Sequence, residues 1–259
     1  MLILLPPSEG KTAPSERRQP VDLERLSFPE LTQQRRTVGD ALAAASARED
    51  AMAVLDVGAS LADEVRGNID LWSAPAAPAA DVYSGVLYDA FDVATLSVTA
   101  RRRATSAVVV ISALWGAVRL TDRIPTYRLS MTVDLPGVGA LASLWRPHLT
   151  AALAPVSSRG VIVDCRSAPY QKAWPSPAAD RTVQVRVVDR ASGAVVSHMA
   201  KHTRGLVART LCSRPGRAPA TPPALAAAVG ESFDVALLEP RSPRSPWTLV
   251  VTADLGVGG

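Results

Sequence analysis

Val108 to Met131 reads VVVISALWGAVRLTDRIPTYRLSM, and this stretch decides the fold class. Its first four residues, Val108 to Ile111, are β-branched and apolar, the pattern of a buried strand. The chain then passes at once into Ser112, Trp115, Gly116, Arg119, Asp122, Arg123, Tyr127 and Arg128. A buried strand that gives way to hydroxyls, rings and guanidinium groups is how an α/β sheet presents side chains to a ligand. The plainer alternative is a surface loop whose charges only keep it wet. Against it stands Pro125-Thr126-Tyr127-Arg128, which fixes a turn and then sets a stacking ring beside a guanidinium.

Two other segments share this design. Leu2 to Leu5 is an apolar run closed by Pro6-Pro7 and followed by Ser8-Glu9-Gly10-Lys11; Gly160 to Asp164 (GVIVD) is followed by Cys165, Arg166, Ser167 and Tyr170. If the three strands are neighbours in one sheet, Lys11, Ser112 and Asp164 converge at one edge. There is no GxxxxGK[ST] spacing around Lys11, which excludes a nucleotide-binding P-loop.

Apolar periodicity predicts helices over Pro29 to Ala47, Glu49 to Arg66, Val93 to Ala104, Ala140 to Leu153 and His198 to Leu211, with Pro147 expected to kink or interrupt the fourth. Further strands are expected at Leu129 to Leu135 and Val183 to Val188, and at Phe233 to Leu238. Trp247 to Thr252 is expected as a late edge strand, and Ser192-Gly193 as a turn into Val195 to Ser197. Leu135-Pro136-Gly137-Val138-Gly139 matches the hairpin of helix-hairpin-helix modules but has no helix in front of it, so it reads as an ordinary glycine turn. The expected architecture is α/β: a single domain over residues 1–259 with a central mixed β-sheet flanked by helices. A basic, proline-rich connector over residues 212–224 lies within it.

Composition narrows the class. The hydrophobic share of 47% is ample for a core, while aromatics are only 5%, so each tryptophan has a placement to explain. The net charge is +4, with arginine far outnumbering lysine. That basicity counts toward nucleic acid only if the charges cluster. Cys165 and Cys212 form no disulfide framework, and with His148, His198 and His202 they match no zinc spacing. No metal site, iron included, and no cofactor is expected. Cys165 has no local histidine to activate it and reads as a small buried thiol. Two cysteines, a five-residue N-terminal apolar run and no long apolar stretch point to the cytoplasm, with no membrane association; no obligate protein partner is evident.

LLPPSEGK (Leu4 to Lys11), DVYSGVL (Asp81 to Leu87), SALWGAVRLTDRIPTYRLSM (Ser112 to Met131) and LWRPHL (Leu144 to Leu149) stand in order along the chain, with DCRSAPY (Asp164 to Tyr170) and AKHTRGLVAR (Ala200 to Arg209). By these motifs the chain resembles the YaaA peroxide-stress family, closely so its actinobacterial members. The resemblance implies a family-specific α/β fold, a cytoplasmic role in limiting oxidative DNA damage, duplex DNA binding in a basic cleft, and lowered free iron. By the matching motifs Lys11, Arg128, Lys201 and Arg204 carry over to that cleft.

Two functional readings follow. In the first, the protein binds duplex DNA without catalysis, and Lys11, Trp115, Arg119, Arg128, Ser167, Tyr170, Lys201 and Arg204 form the ligand surface. In the second, it is an enzyme acting on the N-glycosidic bond of a nucleobase or nucleoside, in a pocket around Arg128 and Asp164. Asp164, Ser112 and Tyr127 then supply the chemistry. A pocket shared by Asp164 and Tyr127 would favour the enzyme.

Overall fold

The computed structural model describes residues 1–193 and 197–253. Seven strands form one mixed sheet: β1 (Leu2–Leu5), β2 (Val108–Ser112), β3 (Gly116–Val118), β4 (Ile162–Asp164), β5 (Thr182–Asp189), β6 (Asp234–Leu238) and β7 (Trp247–Ala253). Their order is β6-β7-β5-β4-β1-β2-β3. The run from β7 through β5, β4 and β1 to β2 is parallel, and β3 and β6 close the two ends antiparallel. Every residue of β1 and β2 is buried, as a strand covered on both faces requires. Because β1, β2 and β4 are parallel neighbours, their C-terminal ends open on one edge.

Register makes that edge uneven. Asp164, the last residue of β4, lies opposite Gln184, the third residue of β5. The rest of β5, with Arg186, therefore runs on past β4 and pairs with β7 alone. Trp247 to Thr252 is thus an interior strand, contrary to the sequence expectation, because β6 covers its outer side.

Among the helices, α1 (Thr32–Ser46), α2 (Val86–Phe91), α3 (Val98–Ala107), α4 (Leu141–Ser157), α5 (Ala168–Ala173), α6 (Ser197–Ser213) and α7 (Pro222–Gly230) flank the sheet over one continuous apolar core. Ser97 caps α3 by accepting from the Ala100 amide, which restarts the helix after a 3-10 turn at Val93–Thr95 and feeds it directly into β2. Gly205 lets α6 meet α2: a Cβ there would lie 2.1 Å from the Leu87 carbonyl oxygen.

Other local expectations are corrected by tertiary contacts. The helix expected over Glu49 to Arg66 is broken into Ala51–Val54, Ala59–Leu61 and Ala62–Gly67, with Asp56 in the left-handed region at φ 52°. Pro147 does not interrupt α4; Trp145 and Leu149 on either side of it are fully buried, and their packing outweighs the one lost hydrogen bond. Of Leu129 to Leu135 only Asp134–Leu135 is strand, paired with Gly139–Ala140 across the glycine turn. Ser192-Gly193 does turn, with the Gly193 amide donating to the Asp189 carbonyl; residues 195 and 196 of the strand expected next lie outside the described residues, and Ser197 opens α6. The proline-rich connector has little regular structure but is pinned by Arg103, which donates to the carbonyls of Cys212, Arg214 and Gly216.

Candidate functional site

At the open edge lies a cavity of about 1180 Å³. The loop after β1 supplies Ser8, Glu9 and Lys11 to its wall, the segment after Tyr127 supplies Arg128, and the segment after β4 supplies Arg166, Ser167 and Tyr170. From the other side come Arg186 of β5, Lys201 and Arg204 of α6, and Arg241 of the loop between β6 and β7. Asp56, Glu9 and Glu239 are the acidic side chains lining it. Cations from several separate chain segments therefore meet over few carboxylates, and the cavity favours an anion.

Lys11 is held at several points. Its backbone bridges to Tyr83, and its ammonium donates to the carbonyls of Ser8 (2.9 Å) and Glu9 (3.2 Å) while lying 4.2 Å from the centre of the Tyr127 ring. Burial, with Arg128 close by, pushes its pKa down to about 7. Arg128 donates to the Glu9 carbonyl at 3.3 Å and pairs loosely with Glu64 at 3.6 Å. Lys201 pairs with Glu9 at 3.3 Å, and Arg204 donates to the Val185 carbonyl at 3.2 Å. These are long contacts, in side chains that are at least partly exposed, that an incoming anion can exchange.

Ser112 and Tyr127 lie beneath this wall. The Tyr127 hydroxyl is 2.8 Å from the Ser112 Oγ and 3.0 Å from the Tyr83 hydroxyl, and burial pushes the Tyr127 and Tyr83 pKa values well up. Ser112 Oγ also accepts from the amides of Leu114 and Trp115. The three hydroxyls thus hold the Tyr127 ring in place under Lys11. Tyr170 is on the wall, its pKa pushed up to about 12, chiefly by burial.

Other candidates sit elsewhere. Trp115 is fully buried between Trp72 and Tyr127, and its carbonyl accepts from Arg35; it belongs to the core and not to the cavity wall. Gly116 beside it takes φ 68°, where a Cβ would strike the Trp145 ring. Arg119 reaches the Ser106 carbonyl at 2.6 Å and covers Phe28, away from the cleft. Asp164 is 2% exposed, and both its oxygens accept from Arg166 at 2.8 Å. Arg166 completes its shell with the carbonyls of Tyr170 and Trp174, so this ion pair fixes the course of the chain after β4. Asp164 and Tyr127 do not line a common pocket.

Sequence reasoning missed Arg186, Arg241 and Asn68. The alternation of β5 offered Arg186 only as an outward-facing residue, and no local pattern marks Arg241. Asn68 is buried and holds the Arg128 backbone from sixty positions away. Cys165 is buried with its thiol pKa pushed up to about 12, mainly by burial, which makes it inert. Among the described residues no three His, Cys, Asp or Glu side chains come together in a group able to hold a metal ion. Among the same residues no helix is long and apolar enough to cross a membrane.

Sheet, cleft and motifs together define an α/β protein that gathers cations at the C-terminal edge of parallel strands. A family model described as peroxide stress protein YaaA matches residues 1–227, and the chain belongs to that family. It is 44% identical over 256 residues to a UPF0246 protein of Streptomyces coelicolor, covering 97% of this chain and 98% of the relative. To a UPF0246 protein of Corynebacterium efficiens it is 42% identical over 240 residues, 91% of each chain. β6 and β7 lie beyond the family match, yet they complete the sheet and contribute to the cleft wall.

Proposed function

We propose that this member of the peroxide-stress family acts by binding duplex DNA in the cleft, through its phosphates, and so helps limit oxidative damage to it in the cytoplasm. One observation carries the reading: Lys11, Arg128, Arg186, Lys201, Arg204 and Arg241 line one cavity from five chain segments. Each cation that neutralises a phosphate releases counterions, so affinity falls steeply with salt. Contacts to phosphates carry no sequence information, so sequence preference is small. The alternative, an enzyme of nucleobase or nucleoside chemistry around Arg128 and Asp164, loses its acid-base group, since Arg166 occupies both Asp164 oxygens.

Duplex DNA titrated at several salt concentrations tests the proposal. The expected result is a negative slope of log affinity against log salt, reduced by about one unit per lost phosphate contact in the double variant Lys201→Ala, Arg204→Ala. A flat salt dependence, or a double variant that binds like the parent, overturns it.

A further inference from the structure

We propose that Lys11 is a nucleophile that forms a Schiff base with an aldehyde carried on a phosphorylated, ring-opened sugar, the phosphate resting on the neighbouring cations of the cleft. The inference rests on the cleft being an anion site and adds a covalent step to it.

Three observations carry it. First, of 28 basic side chains only three are lysines, Lys11, Lys172 and Lys201. The chain meets nearly every need for positive charge with arginine, yet Lys11 stands in the cleft wall. An amine can lose its proton and attack a carbonyl, and a guanidinium cannot. Second, Lys11 makes no ion pair with a carboxylate among the described residues, whereas Lys201 pairs with Glu9 and Arg128 with Glu64. Two carbonyls and the Tyr127 ring position the Lys11 nitrogen, and Glu64 and Glu9 act on its charge only from a distance, without outweighing burial and Arg128. Third, burial disfavours the charged amine, and Arg128 is close enough to disfavour a second positive charge, so that the pKa of Lys11 is pushed down to about 7. A cation beside a desolvated lysine is one of the ways proteins activate this nucleophile.

The step balances without an added oxidant or reductant. The neutral amine adds its lone pair to the aldehyde carbon, and the carbon–oxygen bond of the resulting carbinolamine breaks. The two amine protons leave with that oxygen as water, and a carbon–nitrogen double bond remains; water reverses the reaction. Arg128, Lys201 and Arg204 hold the sugar's phosphate and raise the effective concentration of its aldehyde at Lys11. A phosphorylated aldehyde of this kind exists both as an abasic site within DNA and as a free aldose phosphate.

Reductive trapping of the full chain with cyanoborohydride tests the proposal, using a duplex with one abasic site, the same duplex intact, glyceraldehyde 3-phosphate, and uncharged propionaldehyde as probes. Intact mass and peptide mapping locate the adduct, and the exposed Lys172, which lies outside the cleft, reports background labelling. The expected result is an adduct at Lys11, at least tenfold faster with a phosphorylated aldehyde than with propionaldehyde. It is lost in Lys11→Arg, which keeps the charge, and nothing is trapped with the intact duplex. Trapping at Lys11 by the abasic duplex identifies DNA as the source. Trapping there by glyceraldehyde 3-phosphate alone, with no salt-dependent duplex binding, upholds the nucleophile and removes the DNA reading. Duplex binding without any Lys11 adduct leaves the DNA reading in place and overturns this inference, as does labelling of Lys172 at the rate of Lys11.

Discussion

Asn68 grips the main chain of Arg128 from both sides: its Oδ1 accepts from the Arg128 amide at 2.8 Å, and its Nδ2 donates to the Arg128 carbonyl at 3.0 Å. A side chain here does what a neighbouring strand would do, and it fixes where the Arg128 guanidinium enters the cleft. Asn68→Ala leaves two partly buried backbone groups unpaired and should cost about 1–2 kcal/mol of stability. It should also weaken DNA binding, whereas Arg128→Ala should weaken binding with little change in thermal midpoint. Thermal denaturation and DNA titration of both variants separate position from charge; an Asn68→Ala protein with parental stability would show that the clamp contributes nothing.

Gly205 serves helix contact. A Cβ at this position would lie 2.1 Å from the Leu87 carbonyl oxygen and 2.9 Å from the Ala90 Cβ, so Gly205→Ala forces α6 away from α2. The expected cost is about 1–3 kcal/mol. Gly67→Ala, where nothing lies within 4 Å of the added carbon, is the control and should be neutral or stabilising. Denaturant midpoints for the two variants check the contrast, and equal midpoints refute it.

Asp164→Asn discriminates structure from chemistry. It removes the charge that balances the buried Arg166 guanidinium, and the expected loss is about 3 kcal/mol of stability. DNA affinity, measured on the folded protein, should stay within about twofold of the parent. Unaltered stability together with altered binding would place Asp164 in the ligand site.

Lys11 ties stability to pH. Its folded pKa, about 7, lies below the ordinary lysine value of 10.5, so the unfolded chain binds more protons between these limits. Below pH 7 the amine is protonated in both states and the cost of burying its charge is fully present. As pH rises from about 7 towards 10.5 that cost disappears, and the parent should gain stability relative to Lys11→Met. Urea midpoints of the two proteins measured at pH 6 to 10 check the sign; a constant difference would mean that the amine is not desolvated.

The sequence by itself determined the buried central strands and the family. Four-residue β-branched or aliphatic runs such as Val108 to Ile111 have no other comfortable state than a covered strand, and the motifs after their ends are local words readable in order. The motifs that carry the resemblance also offered Lys11, Arg128, Lys201 and Arg204 as candidates for one cleft. Only the tertiary structure decided which groups reach the cavity. The offset of β4 against β5 puts Arg186 beyond the end of β4, and Arg166 turns Asp164 into a buried structural pair. Trp115 is drawn into the core by Trp72 and Tyr127. Side-chain direction at a strand end depends on register and on partners far away in the chain, and desolvation of one amine depends on everything packed around it. Neither quantity is written in local sequence.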